Sequence, residues 1–143
     1  MTRAIRSLAV VALVTIVTAC SDSSGPGSMT GRYALSRIDG INGNGLPVVI
    51  FKDATGEFRI TAGEVTLNSN NTFSASGTGQ VVESGQTTTI SQTCTGSYTV
   101  SGHGIAFAGA PSTDCDGGIT GTWDGANTLT VNIDATTQAV FKK

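Results

Sequence analysis

The nonapeptide Val65-Thr66-Leu67-Asn68-Ser69-Asn70-Asn71-Thr72-Phe73 carries the clearest structural signal in this chain. Alternating apolar and polar residues lie on both sides of an Asn-rich tetrapeptide, and asparagine tolerates the positive φ that a tight hairpin turn needs. The nonapeptide therefore predicts a β-hairpin. Its second strand continues the alternation, and the predicted inward face comprises Phe73, Ala75, Gly77, Gly79 and Val81.

The same pattern extends in both directions from this hairpin. From residue 30 onward, runs rich in Thr, Val, Ile, Phe and Tyr alternate with Gly, Asn and Asp turns, and no run has helical apolar periodicity. We predict strands at about residues 31–38, 47–53, 57–68, 72–83, 86–100, 104–109, 118–124, 128–134 and 137–142. Eight or nine strands at this spacing favour an antiparallel barrel or sandwich.

One strand and one hairpin allow finer predictions. In residues 57–68 the apolar residues Phe58, Ile60 and Ala62 share one parity, whereas Val65 and Leu67 share the other, and Gly63 lies at the reversal. A β-bulge or sharp bend is therefore predicted at Gly63, as a small closed sheet requires.

The turn Gly102-His103 predicts a hairpin with two cross-strand pairs, Tyr98 with Phe107 and Val100 with Ile105.

Short motifs follow one another in a recognisable order along residues 30–143. They are Gly31-Arg32-Tyr33-Ala34-Leu35, Ile41-Asn42-Gly43 with Leu46-Pro47, Gly63-Glu64-Val65-Thr66-Leu67-Asn68 with Thr72-Phe73, Gly96-Ser97-Tyr98-Thr99-Val100-Ser101-Gly102 with Ile105-Ala106-Phe107, Asn127-Thr128-Leu129-Thr130, and Val140-Phe141. This order resembles that of bacterial lipocalin-like domains. The resemblance implies an all-β fold, namely an antiparallel up-and-down barrel of about eight to nine strands, in some members with a small apolar interior.

The N-terminus has the parts of a secretory signal peptide. Arg3 and Arg6 form a positive region, and residues 7–17 form an apolar run of eleven residues, too short to span a membrane. The tetrapeptide Val17-Thr18-Ala19-Cys20 resembles the lipobox of bacterial lipoproteins, in which the cysteine is lipid-modified and becomes the mature N-terminus. The resemblance implies lipidation at Cys20 and membrane attachment through that lipid. Ser21, in place of Asp, favours the outer membrane if the host is Gram-negative.

These observations divide the chain into three parts: a signal peptide at 1–19, a lipidated N-terminus with a Gly/Ser linker at 20–29, and a barrel domain at 30–143. Residues 21–28 contain no hydrophobic residue and are rich in Gly and Ser, so we expect this segment to be a flexible tether. Loss of the signal peptide leaves 124 residues with 6 basic and 10 acidic side chains, a net charge of −4. Without a basic patch, nucleic acid is not an expected partner.

Export of the protein also affects whether the two remaining cysteines are expected to form a disulfide. With Cys20 lipidated, Cys94 and Cys115 are left, and an even pair in an exported protein favours a disulfide. The hairpin register places Cys94 opposite Pro111, four residues short of Cys115, so residues 109–112 must loop back for the bond to form. The alternative is two unpaired buried thiols.

No catalytic motif accompanies the fold. His103 lacks a second histidine and is predicted to be an exposed turn residue, and Asp114 and Asp116 fit a turn better than a calcium loop. Five further acidic residues are expected on the surface: Glu57, Glu64, Glu83, Asp124 and Asp134. We therefore expect neither an enzyme nor a metal or cofactor site.

The leading functional hypothesis is an envelope lipoprotein that binds a small apolar or amphipathic molecule in the barrel or at its mouth. Inward aromatic residues and a run of small inward residues leave room for such a ligand. The candidate ligand-binding residues are Phe73, Ala75, Gly77, Gly79, Tyr98, Phe107 and Trp123. The alternative is a structural or interaction module with a solidly packed barrel and an unidentified protein partner.

Overall fold

The computed structural model describes residues 28–41, 45–110 and 118–143. Within these ranges lie nine strands: β1 (Gly31–Asp39), β2 (Val48–Lys52), β3 (Gly56–Leu67), β4 (Thr72–Glu83), β5 (Gln86–Ser101), β6 (Gly104–Gly109), β7 (Gly118–Trp123), β8 (Thr128–Asn132) and β9 (Gln138–Lys142). The predicted strands are confirmed, with ends that differ by at most two residues. The described ranges contain no helix with the length and hydrophobicity that a membrane crossing requires.

Eight of the strands form a closed antiparallel barrel. From β3 to β9 each strand pairs with the next, β9 pairs with β1, and β1 pairs with the second half of β3, where Tyr33 lies opposite Val65. The all-β barrel fold is therefore confirmed. The strand β2 stays outside the barrel and pairs only with residues 57–60 of β3.

The edge of β3 changes partner at a β-bulge. The register with β4 shifts between Ile60 and Ala62, so Thr61 is the extra residue and the prediction of a bulge at Gly63 is wrong by two positions. Gly63 has a different role, because a Cβ there would lie 3.1 Å from Cδ2 of Leu35. The bulge brings Ile60 and Val65 onto one face of the strand, which explains the reversal of apolar parity in the sequence.

Both predicted hairpins are confirmed. In the first, Leu67 lies opposite Phe73, and Asn71 adopts the positive φ of 62° that the turn requires. The second has the predicted pairs, with Tyr98 opposite Phe107. Both of these turns and the β7–β8 turn lie at the same end of the barrel, since every second turn of an up-and-down barrel lies on one side.

This end of the barrel is packed solid, and we call it the closed end. Tyr33 and Leu129 are 0% exposed, and the rings of Phe73 and Phe107 meet edge to face with centroids 5.2 Å apart. The buried side chains at the closed end are Tyr33, Leu67, Phe73, Tyr98, Ile105, Phe107, Leu129 and Phe141. Lys143 also lies here, with Nζ 2.8 Å from the carbonyl oxygen of Thr30 and 5.0 Å from the centroid of the Tyr33 ring.

At the opposite, open end, part of the wall continues beyond the barrel. Strand β4 pairs with β5 along its whole length, but β6 pairs with β5 only over residues 96–101. The first halves of β3 and β5, the second half of β4, and β2 therefore form a four-stranded sheet, which we call the extension. The Phe58 ring packs on this sheet over Gly79, where a Cβ would lie 2.7 Å from Cε2 of Phe58.

Candidate ligand cavity in the barrel

The open half of the barrel contains a cavity. Its outer chamber has a volume of about 380 Å³, and an inner chamber of about 80 Å³ lies closer to the aromatic packing. The two chambers share wall residues, namely Val65, Ala75, Cys94, Ile119 and Val131. The volume of the outer chamber lies within the range of about 300–1,000 Å³ typical of small-molecule sites.

The walls of the cavity are apolar. Both chambers are lined mainly by aliphatic side chains and glycines, and the inner chamber adds Phe73 and Phe107. Ser76, Gln92 and Thr93 are the polar residues in the wall of the outer chamber. Successive residues of a strand alternate between the two faces of a sheet, so only Gln92 directs its side chain to the cavity face, while Ser76 and Thr93 pair with each other on the opposite face. None of the lining residues in the described ranges carries a charge. The cavity therefore suits an uncharged or amphipathic molecule with an apolar body, because an unpaired charge inside would lose its hydration.

The mouth also exposes apolar side chains. Ile119 and Ile133 line the outer chamber and remain 36% and 55% exposed to solvent. They belong to β7 and to the segment just after β8, so they border the opening opposite the extension. Such exposed apolar residues at a cavity rim offer a first contact to an apolar ligand.

The predicted ligand-binding residues separate into two groups. Phe73, Ala75 and Phe107 line the inner chamber, and Ala75 and Gly77 line the outer chamber. Three other candidates do not line the cavity. The Phe58 ring covers Gly79, while Tyr98 and Trp123 pack at the closed end.

Several lining residues were not among the candidates. They come from the wall opposite β4, and they are Leu35, Ile38, Ile119, Val131, Ile133, Ala139 and Phe141. The alternation of Leu129, Val131 and Ile133 is visible in the sequence and marks one face of β8. The position of that face across from Gly77 depends on barrel closure, which local patterns do not reveal.

The polar side chains at the closed end stabilise the fold through hydrogen bonds to the backbone. The Tyr33 hydroxyl donates to the carbonyl oxygen of Met29 at 2.6 Å, and the Tyr98 hydroxyl donates to that of Asn68 at 2.7 Å. Burial raises the pKa of both hydroxyls, so both remain protonated donors at neutral pH. Trp123 Nε1 is buried beside the Tyr33 hydroxyl and partly offsets the effect of burial on the pKa of that hydroxyl, although its geometry falls short of a hydrogen bond.

His103 and three aspartates stabilise turns. His103 is exposed in the β5–β6 turn, as predicted, and its Nδ1 lies 2.8 Å from the carbonyl oxygen of Trp123. Asp53, Asp124 and Asp134 each accept backbone N–H groups of the residues that follow them. These contacts lower the pKa of all three carboxyl groups.

The strongest of these turn contacts predicts a pH dependence. Backbone N–H groups of Thr128 and Ala126, both at 2.9 Å, lower the pKa of Asp124 to about 2. A carboxyl whose pKa is lower in the folded state stabilises the fold above its unfolded pKa of about 3.9, and this stabilisation is lost as pH falls towards 2. We expect Asp124→Ala to be less stable than wild type at pH 7. Their difference in unfolding free energy should shrink steadily as the pH falls from about 4 towards 2.

Urea unfolding at a series of pH values measures that difference directly. Ala126→Ser, a change in the same turn that keeps the carboxylate, serves as the control and should follow the wild-type curve. A constant difference between Asp124→Ala and wild type from pH 7 to pH 2 would contradict the assignment of the effect to the ionised carboxylate.

Some predicted residues lie outside the described residues. Cys20 and Cys115 are among them, so lipidation of Cys20 and pairing of Cys94 with Cys115 stay predictions. The same holds for the turn at Asp114 and Asp116. Within the part of the chain that the structure describes, no group of three or more His, Cys, Asp or Glu side chains could hold a metal ion.

Fold and cavity together define a small closed antiparallel barrel of eight strands with one outer strand and an apolar cavity at one end. This architecture is consistent with a lipocalin-like barrel. No protein-family model matches the chain, and no curated protein matches it either.

Proposed function

We propose that this protein is a lipid-anchored protein of the bacterial envelope that binds a small apolar or amphipathic molecule in the open half of its barrel. The observation that carries the proposal is the uncharged cavity of about 380 Å³. Burial of an apolar ligand in such a cavity is favourable at about 25 cal/mol per Å² of apolar surface removed from water.

The shape of the interior supports binding at one end only. The aromatic packing of the closed end fills that half of the barrel, so a ligand enters past Ile119 and Ile133. Gln92 lies in the wall of the outer chamber, on the cavity face of β5, and is exposed, which places a hydrogen-bonding group where the head of an amphipathic ligand would remain in contact with water.

Binding can be tested with the full chain purified in mild detergent. Native mass spectrometry should show a co-purified apolar molecule, or the protein should bind the uncharged fluorescent probe N-phenyl-1-naphthylamine with saturation at one probe per chain. Detergent above its micelle concentration competes for the probe, so the titration is made after exchange into an amphipathic polymer. Absence of both a co-purified molecule and saturable probe binding would refute the proposal.

The anchor part of the proposal has its own test. Expression in a Gram-negative host with an alkyne-bearing palmitate should label the wild-type protein, and Cys20→Ser should abolish the label because the thiol is the acceptor. Ser24→Ala, in the same linker, is the matched control and should be labelled like wild type. An unlabelled wild-type protein would refute lipidation while leaving the cavity proposal intact.

A further inference from the structure

Among the residues that the structure describes, the first half of β5 presents a strand edge with no pairing partner. The carbonyl oxygen of Thr95 accepts the N–H of Ala110 at 2.8 Å on the side of β5 that faces β6. Residues in an antiparallel strand direct their backbone groups alternately to the two sides. The N–H and C=O groups on this same side therefore belong to Thr87, Thr89, Ser91 and Thr93. No strand in the described residues pairs with them, and all four residues are exposed.

The other edge of the extension is protected, whereas this one is not. Strand β2 has five residues, a register shift between Val49 and Phe51, and Lys52, which forms an ion pair with Glu57 at 3.3 Å. Short length, irregularity and lysine are the features that prevent edge-to-edge association. Residues 86–93, which we call the β5 edge, contain no charged residue and no proline, and their register with β4 is continuous.

The β5 edge is also complementary to itself. Two copies related by a two-fold axis at Thr89 would run antiparallel and would place Thr89 opposite Thr89 of the other copy. Thr87 would then lie opposite Ser91, Thr88 opposite Ile90, and Gln86 opposite Gln92. Pairs of Thr and Ser across antiparallel strands are favourable, and no pair brings like charges together. Ile90, which is 42% exposed, would gain apolar contacts from the methyl group of Thr88.

We infer that the β5 edge is a homodimer interface in which two copies of this chain pair antiparallel about Thr89. Pairing satisfies the backbone groups of Thr87, Thr89 and Ser91 in both copies. It joins the two extensions into one continuous sheet of eight strands. The inference does not depend on the proposed ligand, because the residues around the two-fold axis, 87–91, do not line the cavity, and only Gln92 and Thr93 at the far end of the edge belong to its wall.

Sedimentation of the purified full chain in density-matched detergent, over a wide concentration range, tests the oligomeric state. We expect a reversible monomer–dimer equilibrium. Hydrogen–deuterium exchange should show slower exchange of the amides of Thr87, Thr89 and Ser91 as the concentration rises. A monomer at every concentration overturns the inference, and so does a dimer in which these amides exchange as fast as in the monomer.

A charged residue introduced at the two-fold axis tests the proposed geometry of the dimer. Thr89→Lys places two like charges opposite each other and should raise the dimer Kd by at least about tenfold. Thr122→Lys is the matched control, because Thr122 is equally exposed but lies in β7, which is paired on both sides. Equal effects of the two substitutions would overturn the inference. If Thr89→Lys does not fold, as circular dichroism would show, the exchange pattern of the wild-type protein decides alone.

Discussion

Gly77→Phe is expected to lower the affinity for N-phenyl-1-naphthylamine by at least about tenfold, equivalent to about 1.4 kcal/mol. Gly77 lines the outer chamber, and a Cβ built there meets no other atom within 4 Å. The phenyl ring therefore has open space to occupy, and that space is the proposed binding volume. Folding should be preserved or improved, because glycine in a strand costs about 0.5–1 kcal/mol relative to alanine.

Fluorescence titration gives the affinity, and thermal unfolding verifies the fold of the variant. Gly118→Phe is the matched control, since a Cβ at Gly118 also meets nothing within 4 Å, but Gly118 is exposed at the start of β7 and does not line the cavity. The control should bind the probe as wild type does. Wild-type affinity in folded Gly77→Phe would show that the probe binds elsewhere.

The largest loss of stability is expected from Gly96→Ala. A Cβ at Gly96 would lie 2.1 Å from the carbonyl oxygen of Ala108 and 2.8 Å from Cε1 of Phe73. Strands β5 and β6 would have to separate, and the Phe73 ring would have to leave its edge-to-face contact with Phe107. We expect the free energy of unfolding to fall by at least about 3 kcal/mol, the upper range for overpacked cores.

Equilibrium unfolding in urea measures this loss. Gly118→Ala adds the same methyl group where nothing lies nearby, and it should remain within about 0.5 kcal/mol of wild type. A similar small effect of Gly96→Ala would mean that β5 and β6 do not approach as closely as described. Probe binding is not needed for this comparison, so it tests the barrel independently of the ligand.

Local patterns in the sequence are sufficient to predict the positions of the strands. Alternation and turn residues determine where a strand runs, and the register at Tyr98–Phe107 follows from the length of one short turn. The bulge was located only approximately, because the small apolar residue Ala62 was assigned to the same face as Ile60, whereas the register shift before Ala62 places it on the opposite face. The exclusion of β2 from the barrel was not predictable, because it depends on the non-local pairing of β1 with β3.

The cavity was predicted less completely, also for a physical reason. Inward parity identifies a residue that faces the interior, but it does not give its height along the barrel. Tyr98 and Trp123 are four and one residues from tight turns that share one end, so they pack at the closed end instead of lining the cavity. The spacing from those turns is not a sufficient signal, because Phe107 lies directly opposite Tyr98 and still lines the inner chamber. The opposite wall, with Ile119 and Ala139, required knowledge of barrel closure.

The contact of Lys143 with Thr30 has a consequence for the orientation of the whole molecule. It places the start of the domain at the closed end, and only eight residues separate Met29 from Cys20 in the sequence. A Gly/Ser tether of this length averages about 15 Å, whereas a nine-residue strand such as β1 spans about 30 Å.

If Cys20 carries the lipid, as proposed, the closed end of the barrel faces the membrane. The mouth then opens away from the bilayer, beyond the reach of the lipids that hold the protein. Cargo would have to arrive through water, from a soluble carrier or from a facing membrane.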